Sequence, residues 1–228
     1  MIEVLQIENK REVRKYFSPI GDICYTLPVQ NKKTPFIIIL HSLGKNEYQA
    51  IKLANLLPEN AFVLSVRAPI EWRVDGNESY AWFDIKGPMI EQFCKESDIV
   101  DSINYLIKII EECKSHFAEL DDPIILGFSQ GGIVGLTMAV EGYYPIKGVF
   151  CHCGFYETKL NRNLHNHDTN ILMTNGFDDY VIPGIWAQNS SNILREKCSK
   201  FESEFLQCGH EVNDVVLNKL NYWLRKII

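Results

Sequence analysis

A serine hydroxyl attacks a carbonyl only where a neighbouring base can take its proton and donors can hold the charge that forms. Gly127-Phe128-Ser129-Gln130-Gly131 is a G-x-S-x-G sequence. It sits between an apolar run, PIILGF at 123–128, and a helical pattern, IVGLTMAV, from Ile133. Strand, sharp turn, helix is the context that this pattern requires. The glycines leave room for a strained turn that lifts the Ser129 hydroxyl clear of a sheet, and the helix N-terminus behind it favours negative charge. The backbone N–H of Gln130 then points at the same place as an oxyanion donor.

Two later segments offer an acid and a base. NILMT (170–174) runs into Asn175-Gly176-Phe177-Asp178-Asp179, and FESEFL (201–206) into Gln207-Cys208-Gly209-His210-Glu211. Serine, then carboxylate, then histidine, each after a later strand, is the chain order of the α/β-hydrolases. Asp178 and Asp179 are both candidates at this point. Of the six histidines, His210 alone follows a late strand and opens a helical pattern, whereas His41 follows an early one. The set predicts acyl transfer through a covalent intermediate on Ser129, with His210 as base and the carboxylate fixing its tautomer.

The elements that must position these residues alternate along the chain. PFIIIL (35–40), AFVLSV (61–66), PIILGF (123–128), IKGVF (146–150), NILMT (170–174) and FESEFL (201–206) read as strands. The first five are near-continuous apolar runs, as in sheets covered on both faces. Helical patterns fall at 47–57, 97–119, 130–142, 184–199 and 211–227. In the second of these, Ile99, Ile103, Leu106, Ile110 and Cys113 form one stripe, with Ser97 or Asp98 as expected N-cap. DICYTLP (22–28) alternates better and suits an antiparallel edge strand. The expectation is a single domain over 1–228, a three-layer α/β-hydrolase fold with a mainly parallel central sheet. Ligands then bind beyond the carboxyl ends of the strands.

His41-Ser42-Leu43-Gly44, after PFIIIL, resembles the H-G-x-G oxyanion turn of esterases, with serine at the usual glycine. Arg67-Ala68-Pro69, Ala81-Trp82-Phe83-Asp84-Ile85, Cys153-Gly154-Phe155 and Gly176-x-x-Asp179-x-x-Ile182-Pro183 extend the likeness. From His41 to His210 the chain is similar to the carboxylesterase/phospholipase family that includes acyl-protein thioesterases and lysophospholipases. The resemblance implies that the Leu43 N–H is a second oxyanion donor and that Asp179, third residue on from Gly176, is the acid. It further implies a lidless or lightly lidded esterase with an exposed acyl groove; with no long lid segment visible in the sequence to enclose a deep tunnel, short to medium chains are expected. Trp82 and Phe83 are the expected apolar wall of that groove.

Composition narrows the partners. A formal charge of −6 and pI near 5.6 argue against nucleic acid. Lys10, Arg11, Arg14 and Lys15 are expected to form a solvated face among Glu8 and Glu12. The N-terminal segment lacks a secretory pattern, and no apolar run is long enough for stable membrane insertion. Seven scattered cysteines suit a reducing, cytoplasmic setting. The partner is a small-molecule ester or thioester, no cofactor or metal is called for, and a homodimer is left open. Cys151-His152-Cys153 with His165, His167 and Asp168 lacks the paired spacings of structural zinc modules. A dienelactone-hydrolase-like or peptidase activity, or a non-catalytic binding protein on the same fold, are the alternatives.

Overall fold

The computed structural model describes residues 2–5, 11–27, 34–72, 76, 78–85, 95–117, 119–156 and 168–228. The chain divides into two compact units, Met1–Asp121 and Asp122–Ile228.

The first unit is built on strands β1 (Ile2–Leu5), β2 (Val13–Phe17), β3 (Asp22–Thr26), β4 (Phe36–Leu40) and β5 (Phe62–Val66). Their order is β1-β2-β3-β5-β4. β4 and β5 pair in parallel and are buried at every residue, as their apolar runs required. β3 is antiparallel to β5 as expected, but it is not an edge: β2 pairs along its other side and β1 beyond that. Charge hid β2 in the sequence. Lys15, read as part of a solvated face, is buried; it pairs with Asp22 Oδ2 at 3.3 Å and meets the Tyr48 hydroxyl. Asp22 also takes Arg67 Nη1 at 3.0 Å, and Arg67 forks onto the fully buried Glu47 at 2.5 and 3.0 Å. Two cations and two anions thus neutralise one another where single charges would be costly. Arg11 likewise turns inward, to the Leu57 carbonyl at 2.5 Å, while Arg14 pairs with Glu12 on the surface. Lys10 lies outside the described residues.

The helix expected at 47–57 is shorter than its pattern. α1 (Glu47–Ala50), capped by Asn46, gives way to a 3-10 turn at Ile51–Leu56. β6 (Ile70–Glu71) and β7 (Tyr80–Ala81) form a small antiparallel pair. α2 (Glu96–His116) buries the whole stripe read from sequence. Its N-cap, however, is Lys95, and Ser97 bonds Asp98 instead of the helix end. Glu96 and Asp98 in the first turn and Lys114 in the last suit the helix dipole, which makes a side-chain cap dispensable.

The second unit carries four parallel strands in sequential order: β8 (Ile124–Phe128), β9 (Gly148–His152), β10 (Asn170–Gly176) and β11 (Phe201–Leu206). α3 (Gln130–Val140) packs on β8 and β9 and is buried throughout, so its sequence shows no polar stripe. α4 (Gly184–Lys197) covers β10 and β11, and α5 (Asp214–Ile227) covers β9 and β10 through Val216, Leu220, Trp223 and Leu224. α5 begins three residues later than its pattern, because Asn213 caps it by accepting from Val215 and Val216 N–H. His210 therefore lies in a loop and does not open the helix.

Candidate active site

Ser129 stands between β8 and α3 with φ 54° and ψ −119°, a backbone conformation costing on the order of 1–3 kcal/mol. The surroundings enforce it. Gly127 and Gly131 approach so closely that a Cβ on Gly127 would lie 2.4 Å from the Gly131 carbonyl oxygen. On either side of the bend, Ser129 N–H donates to His152 O at 2.9 Å and Ile133 N–H to Ser129 O at 3.0 Å. The hydroxyl makes no capping bond to the helix that it precedes. Strain of this kind turns a side chain outward from the sheet end, as the G-x-S-x-G spacing requires.

His210 Nδ1 lies 2.9 Å from Asp179 Oδ2. A carboxylate only accepts, so Nδ1 carries the proton and Nε2 is left with its lone pair, the basic form. The other carboxylate oxygen, Oδ1, accepts from Val181 N–H at 2.8 Å and Ile182 N–H at 2.9 Å. Burial alone would raise the Asp179 pKa; the Ile182 N–H, the His210 ring, the Cys153 thiol and the Val181 N–H outweigh it and hold the acid below its ordinary value. Asp178 is exposed and sends its N–H to Cys208 O instead. Gly176 lets the two loops meet: a Cβ there would be 2.3 Å from Cys208 O and 2.5 Å from Gly209 O. Phe128, immediately before Ser129, lays its ring 4.9 Å from that of His210. The Ser129 turn, Asp179 and His210 are thereby gathered in one unit.

Two further residues crowd the pair. His152 sends Nε2–H to Glu211 O at 2.7 Å and accepts from Thr174 Oγ1 at Nδ1, 2.9 Å away; burial lowers its pKa, so it stays neutral. Cys153 follows it with φ 50°. One ligand atom each from Cys153, Asp179 and His210 lie within 4.8 Å of one another, a grouping worth weighing as a metal site. The donors do not suit one. Asp179 and His210 are already joined by a hydrogen bond, and burial with the adjacent carboxylate raises the thiol pKa strongly, away from the thiolate that a metal needs. Of the other cluster weighed from sequence, Cys151 is enclosed in β9 and Asp168 bonds Lys200, while His165 and His167 lie outside the described residues.

In the first unit, the turn after β4 is tightly held. His41 Nε2 accepts from Ala68 N–H at 3.1 Å, so Nδ1 bears the proton and donates to Ser42 O at 2.8 Å. Burial pushes its pKa down to about 4. Leu43 is half-buried, and Gly44 N–H donates to Tyr80 O at 3.0 Å. Trp82 and Phe83 are placed differently from the expected groove wall: both are core residues with at most 1% exposure. The indole N–H donates to His41 O at 2.8 Å and its ring packs against the His41 ring. Exposed apolar groups occur instead beside Asp179 and His210 in sequence, at Phe177, Tyr180, Val181 and Val212. Sequence reading gave them no role, although Phe177, Tyr180 and Val181 flank the acid directly.

The sequence matches the phospholipase/carboxylesterase family over residues 25–228. It is 23% identical to acyl-protein thioesterase 1 of Emericella nidulans, across 90% of this chain and 95% of that protein. Its fold is similar to a Bacillus cereus carboxylesterase (TM-score 0.78, 18% identity, 92% and 96% of the two chains covered). It is also similar to Zea mays acyl-protein thioesterase 2 (TM-score 0.70, 16% identity, 90% and 98% covered). The mainly parallel α/β-hydrolase fold read from the sequence is borne out by these structures. The chain belongs to the phospholipase/carboxylesterase family.

Proposed function

We propose that this carboxylic ester hydrolase cleaves esters or thioesters of short to medium acyl chains through an acyl-enzyme formed on Ser129. One observation carries the reading: the strained Ser129 and the His210–Asp179 hydrogen bond of 2.9 Å occur together, joined by the Phe128 ring. Ser129 Oγ attacks the acyl carbonyl as His210 Nε2 takes its proton. Asp179 stays ionised and stabilises the imidazolium. The oxyanion is held by the Gln130 N–H at the start of α3. His210 returns the proton to the departing alcohol or thiol, then activates water to release the acid. Because Trp82 and Phe83 have no surface to offer, the exposed Tyr180 and Phe177 are the proposed acyl contacts.

The unbroken family match over 25–228 supports one hydrolase domain. No helix among the described residues is long and apolar enough to cross a membrane, and the six described cysteines are all free. A reducing, cytoplasmic setting is part of the same proposal. The test is a panel of aryl esters of graded chain length. Wild type should favour the shorter members, and Ser129→Ala should lose on the order of 10⁶ in turnover on all of them. Undiminished hydrolysis by Ser129→Ala would overturn the reading.

A further inference from the structure

We propose that Cys153 is a positioning residue for the acid of the site: its S–H donates to the Asp179 carboxylate, fixing that group against His210 and drawing charge from it. This rests on the reading of Asp179 and His210 as acid and base. Cys153 is fully buried, and its backbone lies in the left-handed region, φ 50°, which a glycine would occupy with less strain. Its N–H donates to Thr174 O at 2.8 Å, tying the bend to β10, the strand that carries the acid. The sulfur has Asp179 and His210 within 4.8 Å. It also lies 3.4 Å from His152 Nε2 and 3.8 Å from Gly209 O.

The proton directions follow. His152 must carry a hydrogen on Nε2 to bond Glu211 O, so that nitrogen, 3.4 Å from the sulfur, has no lone pair to accept the thiol proton. The S–H is left to choose between the Gly209 carbonyl and an ionised carboxylate, and the charged acceptor is the stronger. Burial and the Asp179 charge keep the thiol protonated, so it serves as a donor and not as a competing anion. Other ionisable groups around the set are His152 from β9, Asp178 beside the acid, and Cys208 and Glu211 from the loop that carries His210. Replacing Cys153 leaves each of them in place. Without the S–H, Asp179 concentrates more charge toward His210 and holds its proton more tightly. The acid limb of activity then moves to higher pH, and turnover at neutral pH falls.

The experiment follows the His210 ring protons by NMR across pH in the full chain, comparing wild type, Cys153→Ala and Cys153→Ser. Cys153→Ala should raise the titration midpoint by roughly 0.5 pH unit, the scale of one modest hydrogen bond. Cys153→Ser keeps a donor and should restore the wild-type midpoint. Unchanged titration in Cys153→Ala, or a Cys153→Ser variant that behaves like it, overturns the proposal. Should Cys153→Ala fail to fold, the infrared S–H stretch of wild type, isolated by subtracting Cys153→Ser, decides the matter. A lowered frequency that returns in Asp179→Asn supports the bond; a band indifferent to Asp179→Asn refutes it. Neither readout needs turnover, so a chain that hydrolyses nothing would defeat the proposed function while these measurements still judge the thiol.

Discussion

Asp178 and Asp179 are adjacent, follow the same strand and carry the same group, yet Asp178 is exposed while Asp179 faces His210 at 2.9 Å and accepts two N–H bonds. Asp179→Asn should therefore lose about 10⁴ in kcat/KM by stabilising the wrong His210 tautomer. Asp178→Asn should stay within a few-fold of wild type, and assaying the two side by side checks both expectations. The family resemblance, counted from Gly176, pointed to Asp179, and it is Asp179 that bonds His210. The role of Trp82 was not legible, because an aromatic pair in a loop-like stretch reads as surface. What the sequence hides is the His41 carbonyl, 2.8 Å from the indole nitrogen, which lets a polar-edged ring be buried. Trp82→Ala should cost about 3–5 kcal/mol in denaturant unfolding. The relative rates on short and medium esters should stay as they are; a selective change in chain-length preference would return Trp82 to the substrate.

Between elements, the decisive contact is the crossing of the β11 loop over the end of β10. Gly176→Ala drives a Cβ into Cys208 O and Gly209 O and must displace the segment that carries His210. A shift of about 1 Å in a catalytic group costs roughly 10² in rate, so kcat/KM should fall by that order. Gly184→Ala is the control, since its Cβ would meet only the Phe205 ring at 3.5 Å and it opens α4. Equal activities in the two variants would mean that the loop crossing does not position the base. The parallel strands were legible because apolar runs such as FIIIL are buried on both faces. β2 was not, because VRKYF looks like a charged surface until Lys15 is paired with Asp22. α5 was read too long at its start for a similar reason: the Asn213 cap is visible only once its side chain meets Val215 and Val216 N–H.

For the molecule as a whole, buried neutral histidines link stability to pH. His41 titrates at about 4 in the folded chain, against an ordinary value of 6.5. The unfolded chain thus binds the extra proton first, and stability is full above pH ~6.5 and lost as pH falls toward 4. His41 should contribute a loss of about 2 kcal/mol between pH 7 and pH 5, and His152, shifted the same way, adds to it. Urea unfolding at the two pH values should show a shallower dependence in His41→Gln than in wild type; equal slopes would remove His41 as the source. These linkages govern folding, whereas the proposed hydrolysis turns on one oxygen atom, Ser129 Oγ. Its most direct measurement is reaction with a fluorophosphonate followed by mass mapping of the labelled peptide. Stoichiometric modification at Ser129, absent from Ser129→Ala, is the expected result. A label on another residue, or an unlabelled chain that still hydrolyses aryl esters, would rule out Ser129 as the nucleophile.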